Sequence, residues 1–320
     1  MDNNGGHLQV ARTINPASGS LSNWPGKIID IDLKKLPKIL VIVGPTASGK
    51  SALAIRLAKK LGGEIVSADS RQIYRDLDIG TGKITKREMQ SIPHHLLDVA
   101  SPKKVFSVAQ YQKMAYKKID DILKRGNLPI VVGGTGMYIK AIVDGAVYPE
   151  VPPNAELRRK LTELTNDKLF KLLKQLDPRR AEKIDGNNPR RLIRAIEIAT
   201  VLGKVPHILR GRVRYVVTII GLRPENKNLR FRIHVRLRRR MRQGLVSEVR
   251  KLNERGLSWK RLESLGLEYR FVAFYLQGKM TKQQMLEKLE TEIWHYAKRQ
   301  ITWFKRDKSI IWLNKGALTN

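Results

Sequence analysis

Regular patterning begins at residue 38. Ile39-Leu40-Val41-Ile42-Val43 is an unbroken apolar run stopped by Gly44, as expected of a strand buried on both faces. Over residues 51–61, Leu53, Ala54, Leu57, Ala58 and Leu61 recur on one helical face. A second strand is predicted at 64–67. A longer helix follows at 107–125, with Val108, Tyr111, Ala115, Ile119 and Ile122 in line, and a third buried strand at 128–132 closed by Gly133-Gly134. Strand, helix, strand, helix, strand predicts an α/β fold, a parallel sheet flanked by helices.

The texture changes after Val151-Pro152-Pro153. Residues 156–174 read as one helix rich in Lys and Leu, and no further strand is predicted before 215–221. Residues 151–214 are therefore expected to form a helical insertion between a core segment at 37–150 and its continuation at 215–313. Residues 227–254 read as a single long helix, with Leu229, Ile233, Leu237, Met241 and Leu245 every fourth residue and Gly256 as its stop. Another amphipathic helix is predicted at 283–306 and an edge strand at 310–313. Residues 1–36, rich in Gly, Asn, Ser and Pro, are expected to be a disordered leader, and 314–320 a tail.

Composition narrows the chemistry. None of the 320 residues is Cys, which excludes disulfides, Cys-ligated zinc, iron–sulfur clusters and a thiol nucleophile. At 42% hydrophobic residues the chain has material for a packed core. Its apolar runs are far shorter than the roughly 20 residues a membrane span needs, and its opening has no secretory-signal pattern. A cytoplasmic protein with no membrane association is expected. Lys and Arg number 62 against 29 Asp and Glu, a formal charge of +33. The surplus is concentrated: residues 221–250 hold ten basic and two acidic side chains, and residues 178–214 hold ten and three. Such clustering favours a nucleic acid as partner over a uniformly basic surface.

Gly44-Pro45-Thr46-Ala47-Ser48-Gly49-Lys50-Ser51 fits GxxxxGK[ST] without a gap, between a strand and a helix. The glycines let successive amide N–H groups point at one anion, and the helix directs its positive end there. Lys50 adds a charge between phosphates, and the Ser51 hydroxyl suits Mg²⁺. A conventional P-loop NTPase also has a strand-end Asp for Mg²⁺. Here the third strand ends in Gly133-Gly134-Thr135, which speaks against an ATP hydrolase. A carboxylate follows the second strand instead. Asp69 lies at its C-terminal end, where open α/β sheets place their chemistry. It is positioned to accept a proton from an attacking group. The same position suits a helix N-cap, and the motif alone leaves both open.

Several stretches in order carry a resemblance. They are 44–51, Asp69-Ser70-Arg71-Gln72-Ile73-Tyr74, Asp78-Ile79-Gly80-Thr81-Gly82-Lys83, Pro93-His94-His95-Leu96-Leu97-Asp98 and Gly133-Gly134-Thr135-Gly136-Met137-Tyr138. Asn188-Pro189-Arg190-Arg191-Leu192-Ile193-Arg194-Ala195 follows, then Arg236, then Ala297-Lys298-Arg299-Gln300-Ile301-Thr302-Trp303. From about residue 38 to 313 the chain resembles the tRNA dimethylallyltransferase (IPP transferase) family. The resemblance implies a P-loop NTPase-like sheet with a helical insertion domain, and a monomer. It implies transfer of a dimethylallyl group from dimethylallyl diphosphate to N6 of the adenosine beside the anticodon, position 37 of tRNA, with Mg²⁺ as cofactor. Gly44, Pro45, Thr46, Ala47, Ser48, Gly49, Lys50 and Ser51 would hold the diphosphate, Ser51 also serving the metal. Asp69 matches the general base, and Arg236 an arginine that stabilises the leaving diphosphate, so that Asp69, Ser51 and Arg236 are the implied catalytic set. Asp69, Ser70, Arg71, Gln72 and Thr135 match positions at the target nucleotide; Arg190, Arg191, Arg194, Tyr269 and Arg270 match contacts to the anticodon stem-loop. Gly80-Thr81-Gly82-Lys83-Ile84 departs from the family, which usually has Ala and Pro there.

Two other function classes compete. A P-loop kinase predicts ATP consumption and is opposed by the missing strand-end Asp and the basic second half. A nucleic-acid-binding module with a degenerate phosphate loop is opposed by intact Gly49, Lys50, Ser51 and Asp69. His94 and His95 have no third ligand spaced nearby and read as structural or substrate-positioning residues rather than a metal site. Trp294, Trp303 and Phe304 read as core residues of the last helix.

Overall fold

A computed structural model describes residues 39–146, 148–206 and 214–313. The leader at 1–36 and the tail at 314–320 lie outside the described residues. Two compact units result. The first is Met1–Val143 with Val213–Asn320, and the second is Asp144–Arg212, so residues 144–150 group with the insertion rather than with the core.

The first unit starts with β1 (Ile39–Val43), α1 (Lys50–Leu61), β2 (Gly63–Ser67), the single-turn α2 (Lys86–Met89), β3 (His94–His95), α3 (Val108–Lys124), β4 (Leu128–Gly133) and α4 (Gly136–Val143). The second unit holds α5 (Ala155–Thr162), α6 (Asn166–Leu176), α7 (Pro178–Glu182) and α8 (Pro189–Leu202). The first then resumes with β5 (Val217–Leu222), α9 (Asn226–Arg242), α10 (Leu245–Glu254), α11 (Trp259–Ser264), α12 (Leu267–Leu276), α13 (Lys282–Phe304) and β6 (Ile310–Leu313). The six strands pair in parallel in the order β3-β2-β4-β1-β5-β6, with β6 at an edge as expected. Strand β1 is central, and its residues alternate between two cores. Ile39, Val41 and Val43 face one side with α3, and Leu40 and Ile42 face the other with Leu53 and Leu57 of α1. Burial on both faces is why its sequence is apolar throughout.

Two long helices of the sequence reading are each two helices. The stretch read as 156–174 breaks between α5 and α6, where the Thr165 hydroxyl accepts from Lys168 N and starts a new helix. The stretch read as 227–254 breaks at Gly244, whose φ of 96° is left-handed. The four-residue spacing runs through the break and hid it. Leu229, Ile233 and Leu237 pack on Leu289, Ile293 and Ala297 of α13, whereas Leu245 joins the core beneath the sheet. In the second unit Leu161, Leu169, Leu173, Leu192 and Ile196 form the core. Glu197, 1% exposed, is held there by Arg158 at 2.7 Å and by Asn154 N at 2.9 Å. Among the described residues no helix is long and apolar enough to cross a membrane.

Candidate active site

The turn from β1 into α1 carries the phosphate-loop motif. Ala47 adopts a φ of 61°, a left-handed conformation uncommon for a side-chain-bearing residue and of the kind stored at ligand sites. Ser48 is fully buried, and its hydroxyl has no hydrogen-bond partner. An orphaned buried hydroxyl inside a basic loop fits an anion that would complete it. Lys50 Nζ donates to Pro45 O at 2.6 Å, and Ser51 stands exposed in the first turn of α1.

Helix α9 brings Arg236 to the same loop, where Nη1 donates to Thr46 Oγ1 at 3.1 Å. One turn on, Arg240 is 5% exposed and pairs with Glu268 at 2.6 Å. The cations crowd one another. Desolvation, then the Arg236 charge, lowers the Lys50 pKa to about 8, against the opposing pull of Asp69. Desolvation, then Arg240, lowers that of Arg236 to about 10. Both cations are therefore short of negative charge, which a diphosphate would supply. A cavity of about 830 Å³ opens here, lined among others by Lys50, Ser51, Ile55, Ile84, Arg236 and Arg240.

Asp69 follows β2. Its Oδ1 accepts from Arg71 N at 2.8 Å and Gln72 N at 3.4 Å, so it does cap the turn. Among the described residues Oδ2 accepts no hydrogen bond and no cation pairs with the carboxylate. Both readings of Asp69 thus coexist in one side chain: one oxygen holds the turn and the other is open. The neighbouring strand end explains the missing NTPase carboxylate. A Cβ at Gly133 would overlap the backbone carbonyl of Ala68, so the ends of β2 and β4 approach too closely for a side chain there.

Similarity to known proteins gives the family. A family model described as IPP transferase matches residues 72–307. The chain belongs to the IPP transferase family. A relative named tRNA dimethylallyltransferase, from Anoxybacillus flavithermus, is 43% identical over 282 residues, 87% of this chain and 90% of its own. Of the solved structures it is similar to, the tRNA isopentenylpyrophosphate transferase of Bacillus halodurans superposes with a TM-score of 0.66 at 37% identity, covering 87% of this chain and 89% of that one. A eukaryotic dimethylallyltransferase solved acting on tRNA gives 0.72 at 25% identity, covering 87% and 74%. The P-loop-like parallel sheet flanked by helices is thus the fold of this IPP transferase.

Other residues singled out in the sequence fall into distinct settings. Thr135 Oγ1 accepts from Ser70 N at 3.1 Å and lies 3.4 Å from Ser70 Oγ, joining the turns after β2 and β4. Gln72 spends its side-chain amide on Gly82 O at 3.2 Å and Thr81 O at 3.5 Å, bracing a loop. Tyr269, expected at an RNA surface, is 1% exposed, with its hydroxyl on Glu248 at 2.7 Å; burial leaves it no face for RNA. Arg270 is half-buried and donates from Nε to Glu263 O at 3.0 Å. In the second unit Arg190 and Arg191 are exposed at the start of α8, while Arg194 is committed to Glu197 and to Val151 O. His95 pairs with Glu64 at 2.6 Å and His94 with Ile92 O at 2.8 Å, and no metal-binding group of acidic and His residues occurs among the described residues. Of the aromatics read as core, Phe304 is 3% exposed, but Trp303 is 37% exposed and lies over Gly136 at the start of α4.

Sequence reading gave no role to Gln300, which is 7% exposed. Its Oε1 accepts from Thr46 N at 2.8 Å and its Nε2 donates to Gly134 O at 2.9 Å. It links the phosphate loop to the turn bearing Thr135. Only its presence in the 297–303 stretch hinted at it. Arg240 was legible as the residue one helical turn after Arg236.

Proposed function

We propose that the protein transfers the dimethylallyl group of dimethylallyl diphosphate to N6 of adenosine 37 in tRNA, releasing diphosphate. Family membership gives the reaction class, and the relatives' names give tRNA as the acceptor. The observation that carries the reading is an open carboxylate oxygen on Asp69 within electrostatic reach of two under-compensated cations, Lys50 and Arg236. The C–O bond of the donor breaks as the N6–C bond forms. The electron pair leaves with diphosphate, whose charge Lys50, Arg236 and the loop amides stabilise as it develops. The amine is a weak nucleophile because its lone pair is delocalised into the ring, and Asp69 Oδ2 takes its proton.

The adenine must leave its stack to reach the sheet edge, which costs a few kcal/mol and least in a flexible loop. Exposed Arg190 and Arg191 of α8 suit phosphate contacts to the anticodon stem-loop, which position RNA without reading its sequence. Mg²⁺ fits as a donor-bound ion. Ser51 Oγ would ligate it together with diphosphate oxygens and water, and it would neutralise leaving-group charge.

Incubation with dimethylallyl diphosphate and unmodified tRNA, followed by mass spectrometry of the digested nucleosides, is expected to give prenylated adenosine and free diphosphate. Phosphoryl transfer from ATP without prenylation would replace this reading with the kinase.

A further inference from the structure

We propose that Glu248 is a positioning residue of the diphosphate site, one that sets Arg236 through the loop 78–82 without touching substrate. The inference rests on the cavity being a diphosphate site. Glu248 projects from α10, and its Oε2 accepts from Asp78 N at 3.1 Å and Ile79 N at 2.7 Å. Its Oε1 accepts from Gly80 N at 3.0 Å and from the Tyr269 hydroxyl at 2.7 Å. Three consecutive main-chain N–H groups and a buried phenol thus converge on one carboxylate, which has no ion-pair partner among the described residues. This is the pattern of a filled anion nest, and charge-assisted bonds of this kind are the stronger class of hydrogen bond. The Glu248 charge and hydrogen bond in turn raise the Tyr269 pKa beyond what burial does, keeping the phenol a donor.

The other end of the loop meets the cations. Its turn closes through Gly82 N to Ile79 O at 3.1 Å and Lys83 N to Asp78 O at 2.9 Å. A Cβ on Gly82 would overlap Nη2 of both Arg236 and Arg240. The two guanidiniums therefore lie directly on the main chain at residue 82, and that surface sets how far Arg236 reaches toward Thr46 Oγ1. Arg236 is mostly buried and forms no ion pair of its own among the described residues, so the main chain at residue 82 is the surface that bounds its guanidinium. Glu248, Tyr269 and loop 78–82 form a chain of contacts from α10 to the leaving-group arginine.

Glu248→Gln keeps the side chain's shape but turns an NH₂ toward N–H donors. Calorimetric binding of inorganic pyrophosphate reads the site without tRNA. The variant is expected to bind pyrophosphate about tenfold more weakly, the scale of one charge-assisted hydrogen bond. It should also raise KM for the prenyl donor while leaving tRNA affinity unchanged. Because Glu248 acts through Arg236, adding the substitution to Arg236→Ala should cause little further loss. Should Glu248→Gln fail to fold, Tyr269→Phe, which removes one of the four bonds, is read in the same cycle with a smaller loss of the same sign. Unchanged pyrophosphate binding in the folded variant, or an equal loss with and without Arg236, overturns the positioning role. Failure of the wild-type protein to bind pyrophosphate overturns the diphosphate reading instead.

Discussion

Glu64 and Asp69 stand at opposite ends of β2, and their surroundings differ in one respect that decides their chemistry. Glu64 is 4% exposed and every oxygen is engaged: Arg125 donates at 2.8 to 3.1 Å, Asn127 at 2.8 Å, and His95 shares a hydrogen bond at 2.6 Å. Burial alone would raise its pKa, but bonds from Asn127, His95 and Arg125 prevail and hold it at about 2. Asp69 is half-buried, spends one oxygen on a turn and keeps the other open, within electrostatic reach of Lys50 and Arg236. A saturated carboxylate is a rivet, here between the edge strand β3, the start of β4 and β2. An open one remains able to accept a proton.

The contrast yields predictions of decreasing size. Asp69→Asn is expected to lower kcat by about a thousandfold while shifting donor KM less than about threefold, as seen by single-turnover assay. Equal losses in both would make Asp69 a second rivet. Glu64→Gln is expected to do the reverse, costing about 2 kcal/mol in urea unfolding with kcat per folded molecule intact. Because the folded pKa of Glu64 lies below its ordinary 4.5, its contribution is complete above about pH 4.5 and lost as pH falls toward about 2. The gap between wild type and variant should close across that window.

The cations extend the same contrast, since Arg125 is satisfied by Glu64 whereas Lys50 meets one carbonyl. Burial and the Arg236 charge lower the Lys50 pKa to about 8. Pyrophosphate affinity, corrected for the ligand's own ionisation, should therefore fall by about tenfold per pH unit above about pH 8. Lys50→Arg should flatten that slope. Smallest of all, His95→Ala should cost less than about 1 kcal/mol, because Arg125 and Asn127 still serve Glu64. A loss matching Glu64→Gln would show that the histidine, not the carboxylate, carries the edge of the sheet.

Much of the fold was legible because its signals are local. The run at 39–43, the helical face from Leu53 to Leu61 and the motif at 44–51 depend on neighbours in sequence. So did Asp69, whose place at a strand end needed only the strand. Reading failed where a local pattern continued across a change of partner. Leu245 keeps the spacing of Leu237 but belongs to another core, and only the left-handed Gly244 marks the turn. Tyr269 was misplaced for a related reason. Its RNA role came from the family resemblance, and nothing nearby in sequence showed that its hydroxyl would be taken by Glu248 in a buried setting. Gln300 touches residues more than 160 positions away, a relation that no window along the chain contains.

That glutamine has a further consequence. Because the two ends of one amide fasten the phosphate loop and the turn bearing Thr135, the proposed transfer would make the gap a prenyl carbon must cross a built-in gauge. Shortening the arm by a methylene, as in Gln300→Asn, would detune the gauge without removing a charged group or any hydrogen-bonding group. Both substrates could then still bind while their reacting atoms stood too far apart.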